Sequence, residues 1–228
     1  DDKRPVFEFS YWIINFARVF ISVAAILFAR EYFRKIVAKR FYAETEYRIW
    51  KIARFWFNKG AKLPVRIFGK TIKNLYIGII LPLFFSIASF GRFYLPITGI
   101  FDVKENLSER VGRRYSRLTE FETAIIALSG ALANIFLVLI FSVLNNFYNF
   151  EQFITMNIWI ALFSFLPLGE LDGSKIFFNS ILLYVLSLAF AVGVFILIPY
   201  LGLIATVILA LLFAAVLTIV FFIFFEYK

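Results

Sequence analysis

The chain has 228 residues, of which 62% are hydrophobic and 21% aromatic, and its formal net charge is +9. This composition excludes an ordinary soluble domain and predicts a membrane protein, because about 20 consecutive apolar residues are enough to span a bilayer. The chain has no Cys and no His, which excludes disulfides and thiol nucleophiles and removes the commonest zinc ligand and neutral-pH base. Clustered Lys and Arg in a membrane protein indicate cytoplasmic anchoring, so we expect a lipid bilayer as partner and no nucleic acid.

The first apolar tract runs from about residue 7 to residue 41, which is longer than one span needs. It is interrupted by Arg18 and then by Arg30, Glu31 and Arg34. If the membrane-spanning part begins near the start of the tract, Arg18 lies inside the bilayer. If it begins after Arg18, the cluster Arg30, Glu31 and Arg34 lies inside the bilayer instead. At least one charge is therefore expected at membrane depth.

Two basic stretches determine the expected topology. Residues 39–73 carry ten Lys and Arg against two Glu, and residues 102–122 are also basic. The positive-inside rule places both stretches in the cytoplasm. The apolar tract 75–101 between them contains Pro and Gly, so we expect a re-entrant or membrane-edge hairpin rather than a full span.

The remaining apolar tracts predict four further crossings. The connection 145–157 has no Lys or Arg and is expected outside the cell. The crossings are expected at about 123–144, from 158 with a break at 167–173, at 181–198 and at 200–225. The sequence thus predicts a single all-α polytopic domain over residues 1–228, with about five transmembrane helices, in the cell membrane. Its N-terminus is expected outside and its C-terminus in the cytoplasm.

Arg30, Glu31 and Arg34 form the first chemically unusual group. The i, i+4 spacing places both guanidinium groups on one helix face with Glu31 beside them. The simplest interpretation is that both arginines belong to the inner rim of the first span, together with Lys35, Lys39 and Arg40, and snorkel to the headgroups.

Two further groups lie in later helices. Glu170 and Asp172 follow Pro167 inside an apolar region, so they predict either an internal polar site at a broken helix or a cytoplasmic turn. Only nine residues separate Asn157 from Pro167, too few for a span, which favours the internal site. Ser129-Gly-Ala-Leu-Ala-Asn134 is a run of small residues, for which close helix packing is the ordinary explanation.

Together the three segments resemble the site-2 protease family of intramembrane zinc metalloproteases. In that family one helix carries HExxH, a later helix begins with a motif similar to (S/A)GPLAN, and a further helix unwinds at NxxPxxxLDG. Ser129, Gly130 and Asn134 match the second motif, with Ala131 where Pro is usual. The third motif is matched by Pro167, Glu170, Asp172 and Gly173, with Ser164 where Asn is general. The resemblance covers about residues 20–180, and the helices at about 181–225 lie outside it.

The resemblance aligns Arg30 and Arg34 with the two zinc-binding His, Glu31 with the catalytic base and Asp172 with the third ligand. Arginine is a permanent cation without an acceptor atom, so Arg30 and Arg34 cannot bind zinc. We therefore expect no zinc, no other metal and no cofactor at this degenerate site. In the family, the charge of one Zn²⁺ balances the charges of one Glu and one Asp; here the charges of two Arg would balance those of Glu31 and Asp172. Bidentate ion pairs would then join the first helix to Asp172.

The resemblance implies a catalytically inactive pseudoprotease that binds transmembrane clients or serves as a subunit of a membrane assembly. The enzymatic alternative is an active intramembrane metalloprotease whose metal is held elsewhere. A transporter or channel is a third possibility, because immersed charges often mark ion pathways. No repeated half with paired broken helices is present to favour it.

Overall fold

The computed structural model describes residues 8–51, 65–67, 70–72, 75–90, 96, 99–105 and 118–226. Parts of both predicted cytoplasmic stretches lie outside these residues. The described elements, in chain order, are α1 (Phe9–Arg40), β1 (Ala43–Arg48), β2 (Val65–Ile67), β3 (Lys70–Ile72), α2 (Ile77–Ala88), β4 (Ile100–Glu105), α3 (Glu120–Leu144), α4 (Glu151–Ser164), α5 (Asp172–Asn179), α6 (Ile181–Leu197) and α7 (Leu203–Phe221), followed by a π-helical turn, Phe222–Glu226.

Three of the described helices are long and apolar enough to cross a membrane: α1, α3 and α7 continued to Phe225. Two shorter apolar helices, α2 and α6, have 12 and 17 residues. The chain is thus mostly helical and compatible with a membrane protein, as the composition predicts. The larger number of crossings stays a prediction.

Helix α1 is continuous over 32 residues and runs unbroken through both arginines. Its buried residues are Ile26, Arg30, Arg34 and Ala38. Their spacing of four places them on one face of the helix, and this face packs against α3. The two arginines therefore occupy core positions between two apolar residues.

Helix α3 is the central element, and it contacts α1, α4 and α5. It begins with a capping box, in which Thr119 accepts a hydrogen bond from the Glu122 amide and Glu122 accepts one from the Thr119 amide. Such a box satisfies two backbone donors that the first turn leaves free. Small buried residues, among them Ala124, Ala127 and Ala131, let the neighbouring backbones approach closely.

Two small antiparallel sheets add to the predicted helices. Strand β1 pairs with β4, with Arg48 opposite Ile100 at one end and Ala43 opposite Glu105 at the other, and β2 pairs with β3. Strand β1 was not expected from the sequence because its alternation of buried and exposed residues is short: only Ala43 and Thr45 are buried in a charged segment.

Ion pairs across β1 and β4 support the longer sheet. Glu46 pairs with Lys104 and accepts a hydrogen bond of 2.9 Å from Arg48, and Arg48 pairs with Asp102 at 2.7 Å. The hydrogen bond from Lys104 lowers the pKa of the Glu46 carboxyl below its ordinary value. These side chains are largely exposed, so each pair adds little stability by itself. Their positions nevertheless fit the register of the two strands.

Candidate functional site

The centre of the candidate site is the buried carboxylate of Asp172, the first residue of α5. Its Oδ2 atom pairs with Nη2 of Arg30 and with Nη2 of Arg34. All three side chains are at most 5% exposed. One carboxylate oxygen thus joins two successive turns of α1 to a helix more than 130 residues later, which confirms the expected proximity of Asp172 to the first helix.

Arg34 connects Asp172 to the remaining charges of the site. Its Nη1 atom donates to Oε1 of Glu31, one turn earlier on α1. Its guanidinium carbon lies 4.1 Å from the ring centroid of Phe101 on β4, and Nζ of Lys175 lies 3.8 Å from the same centroid. Lys175 also donates to the Phe101 carbonyl. A ring face attracts cations, most strongly where water is excluded, so the ring helps to hold two like charges close together.

Gly130 on α3 leaves the space that Arg34 fills. A Cβ atom at this position would lie 2.5 Å from Nη2 and 3.1 Å from Cζ of Arg34, and 3.3 Å from Cγ of Arg30. Real Cβ atoms do not approach other atoms this closely, so any larger residue would displace the guanidinium. The small-residue motif of α3 is therefore fitted to the arginine side chains.

The connection between α4 and α5 determines the position of Asp172. Gly169 has a φ of +56°, a left-handed conformation that favours glycine, and a Cβ there would lie 2.6 Å from Cζ2 of Trp50. The Ser174 hydroxyl lies 2.7 Å from both the Gly169 and the Leu171 carbonyl oxygens. Gly173 packs directly against the backbone of Phe165 at the end of α4. These contacts fold the connection back so that α5 begins beside α1.

Two interpretations of the sequence need correction. Arg30 and Arg34 are 4% and 1% exposed, so they are not rim residues, whereas Lys35 and Lys39 are exposed. Arg30 and Arg34 are buried because α3 and α5 cover the face of α1 on which these two residues lie.

Pro167 and Glu170 lie exposed in the connection between α4 and α5, so they do not belong to the polar core. Asp172 and Gly173 are both buried, as the internal polar site predicts. Among the described residues, no three acidic side chains are placed to hold a metal ion.

The remaining residues of the small-residue motif have separate environments. The Ser129 hydroxyl donates to the Ile126 carbonyl oxygen at 2.7 Å within α3. Asn134 is fully buried, and its backbone carbonyl accepts a hydrogen bond of 3.0 Å from the side-chain Nδ2 of Asn157 on α4. In the described part of the chain, neither atom of the Asn134 side-chain amide has a hydrogen-bond partner. Asn134 thus links α3 to α4 through its backbone.

The donor set does not fit zinc. The two side chains that face Asp172 are cations with only N–H donors, and both are already paired to its Oδ2 atom. Zinc in proteins is bound by lone pairs of thiolate, imidazole and carboxylate groups. A metal would have to displace two guanidiniums from one carboxylate and would then be repelled by them. We therefore derive no catalytic step through a metal.

Three residues of the site were not predicted from the sequence: Phe101, Lys175 and Trp50. Phe101 ends the apolar tract 75–101 and Trp50 lies in the basic stretch 39–73, so neither was expected at this site. The pairing of β1 with β4 brings Phe101 to Arg34. Lys175 offered a usable signal, since a lysine three residues after Asp172 in a helix lies on the same side. Its aromatic partner could not have been found in this way.

No family model, no curated protein and no solved structure matches this chain.

Proposed function

We propose that the chain is a membrane protein with a site-2-protease-like core in which ion pairs replace the metal, and that it acts by binding rather than by hydrolysis. It would bind a transmembrane client or serve as a subunit of a membrane assembly. The observation that carries this proposal is the double pairing of Asp172 with Arg30 and Arg34. Each of these residues stands where the family has a zinc ligand.

The chemistry of the site supports the absence of hydrolysis. In the family a metal-bound water is the nucleophile and a glutamate accepts its proton. Here the corresponding Glu31 is held by Arg34, and no Lewis acid can occupy the place of the guanidiniums. What remains is a buried ion cluster that joins α1 to α5, with Gly130 of α3 packed against its arginines. Such a cluster is suited to holding these helices together.

The proposal includes five crossings and a membrane-edge hairpin. Helix α2 has 12 residues, about 18 Å at 1.5 Å per residue, which is too short for a hydrocarbon layer of about 30 Å. Arg48, which precedes α2 in the chain, pairs with Ile100, which follows it. The segment that contains α2 therefore begins and ends at the same place. Helices α4 and α5 would form one broken crossing, and α6 another. The N-terminus would then lie outside and the C-terminus in the cytoplasm.

Metal content tests the functional proposal. We expect the purified chain to carry no zinc and to cleave no peptide bond, and we expect the double variant Arg30→His, Arg34→His to gain zinc. The reason is that two imidazoles would then face Asp172 and complete a three-ligand set. Zinc per chain is measured by elemental analysis after chelator washing.

The control for this experiment is Lys35→His with Lys39→His, which has the same spacing on the exposed face of α1. It should lose its zinc on washing, since no carboxylate of α5 faces it. Equal retention by both double variants, or zinc-dependent proteolysis by the unaltered chain, would contradict the proposal.

Single cysteines test the topology, because the chain has none of its own. In sealed right-side-out vesicles, we expect Asn146→Cys to react with a membrane-impermeant maleimide. Glu44→Cys and Glu120→Cys should react only after permeabilisation, because both would lie on the cytoplasmic side. Labelling of Glu44→Cys but not Glu120→Cys from one side would show a full crossing between them and exclude the hairpin.

A further inference from the structure

A cavity of about 650 Å³ lies far along α1 from the ion cluster, where α1 faces the start of α4. It is lined by Arg18 and Ser22 on α1 and by residues 149–153. Its volume falls in the range of small-molecule sites. The proposed function assigns nothing to it.

The cavity contains one cation and one anion, Arg18 and Glu151. Both side chains are exposed, and neither forms an ion pair with any residue that the structure describes. Polar groups lie beside them. The Ser22 hydroxyl donates to the Arg18 carbonyl at 2.8 Å, and Asn149 accepts a hydrogen bond from the Glu151 amide at 3.2 Å, which leaves its side-chain NH₂ group available. A ligand that carries both a negative and a positive group would complement this lining.

The position of the cavity relative to the bilayer indicates that its ligand is a lipid. Arg18 precedes Arg40 by 22 residues, about 33 Å along a helix at 1.5 Å per residue. This distance is close to the thickness of the hydrocarbon layer, so Arg18 reaches one headgroup region when the basic end of α1 lies in the other. Tyr148 and Phe147, next to the cavity, are 74% and 75% exposed, as expected of aromatic residues at a membrane interface.

We propose that this cavity binds the headgroup of a phosphatidylethanolamine. The lipid phosphate accepts hydrogen bonds from the Arg18 guanidinium, and its primary ammonium donates to the Glu151 carboxylate. Phosphatidylcholine fits less well because its quaternary ammonium has no N–H to donate, and phosphatidylglycerol fits less well because its negative headgroup meets Glu151 without a balancing cation. The site needs α1 to span a bilayer, and it does not depend on the inactive state of the ion cluster.

Native mass spectrometry of the full chain in detergent tests the proposal, with phosphatidylethanolamine, phosphatidylcholine and phosphatidylglycerol of the same acyl chains titrated separately. We expect one phosphatidylethanolamine to bind with a higher affinity than the other two lipids. Arg18→Gln should weaken it at least about tenfold, the factor that one charge-assisted hydrogen bond typically contributes. Glu151→Gln should remove the preference over phosphatidylglycerol while retaining the phosphate contact.

Lys39→Gln is the matched control, since it removes an exposed cation at the other end of the same helix and should leave the affinity unchanged. Glycerophosphoethanolamine without acyl chains should not bind at the same concentrations, which separates a lipid from a free phosphate ester. Equal binding of the three lipids by the unaltered chain would overturn the proposal. So would unchanged affinity in Arg18→Gln, or binding of the headgroup alone as tight as that of the lipid.

Discussion

Asp172→Asn is expected to lower the free energy of unfolding by about 3–5 kcal/mol, the usual effect of removing one partner of a buried ion pair. Asparagine keeps the size of the side chain and one acceptor oxygen, so the loss arises mainly from charge. Arg30 and Arg34 would remain buried, with Glu31 as the only carboxylate that pairs with them in the described structure. Unfolding by SDS in mixed micelles, followed by helical circular dichroism, measures the difference.

Glu170→Gln provides the matched control, because Glu170 is a carboxylate two residues earlier in the same connection but is exposed. It should change the unfolding free energy by less than about 0.5 kcal/mol, as exposed substitutions usually do. Adding Arg30→Met to Asp172→Asn should recover part of the loss, because it removes one of the unbalanced charges. Equal stability of Asp172→Asn and Glu170→Gln would show that the cluster does not hold the helices together.

Gly173→Ala is expected to destabilise the chain by about 3 kcal/mol, at the upper end of over-packing effects. The added Cβ would lie 2.7 Å from the Leu166 carbonyl oxygen and closer still to the carbonyl group of Phe165. Both neighbours are backbone, which cannot rotate away as a side chain can. The end of α4 would have to separate from α5, and Asp172 would move with it. The same unfolding assay measures the effect.

Gly202→Ala is the control for this substitution, since no atom lies within 4 Å of a Cβ at Gly202. Gly202 is the N-cap residue of α7, so alanine should cost at most about 1 kcal/mol there. A loss in Gly173→Ala no larger than in Gly202→Ala would mean that the connection between α4 and α5 adjusts freely.

The sequence predicted the partners of the ion cluster better than their surroundings. Arg30, Arg34 and Asp172 could be brought together because three motifs occur in order and because isolated charges in apolar helices need counter-charges. Their burial was misjudged, since the sequence does not say which face of α1 the later helices cover. Phe101 could not be placed, because its position depends on a strand pairing between residues more than 50 positions apart. Exposed Glu170 and buried Asp172 differ by two positions, and only the fold of the connection separates them.

The separation along the chain between the arginines and Asp172 affects the order in which the protein enters a membrane. Asp172 follows Arg34 by 138 residues, so α1 is synthesised long before the main counter-charge of its arginines exists. An arginine at the centre of an inserting helix costs about 2.5–3.5 kcal/mol, and less toward an end of the helix. For Arg30 and Arg34, only neighbouring Glu31 offsets the two charges at that stage. If α1 crosses the membrane, its apolar residues therefore have to offset both charges until α3 and α5 arrive. The buried ion pairs of α1 are therefore completed only once α5 has been synthesised.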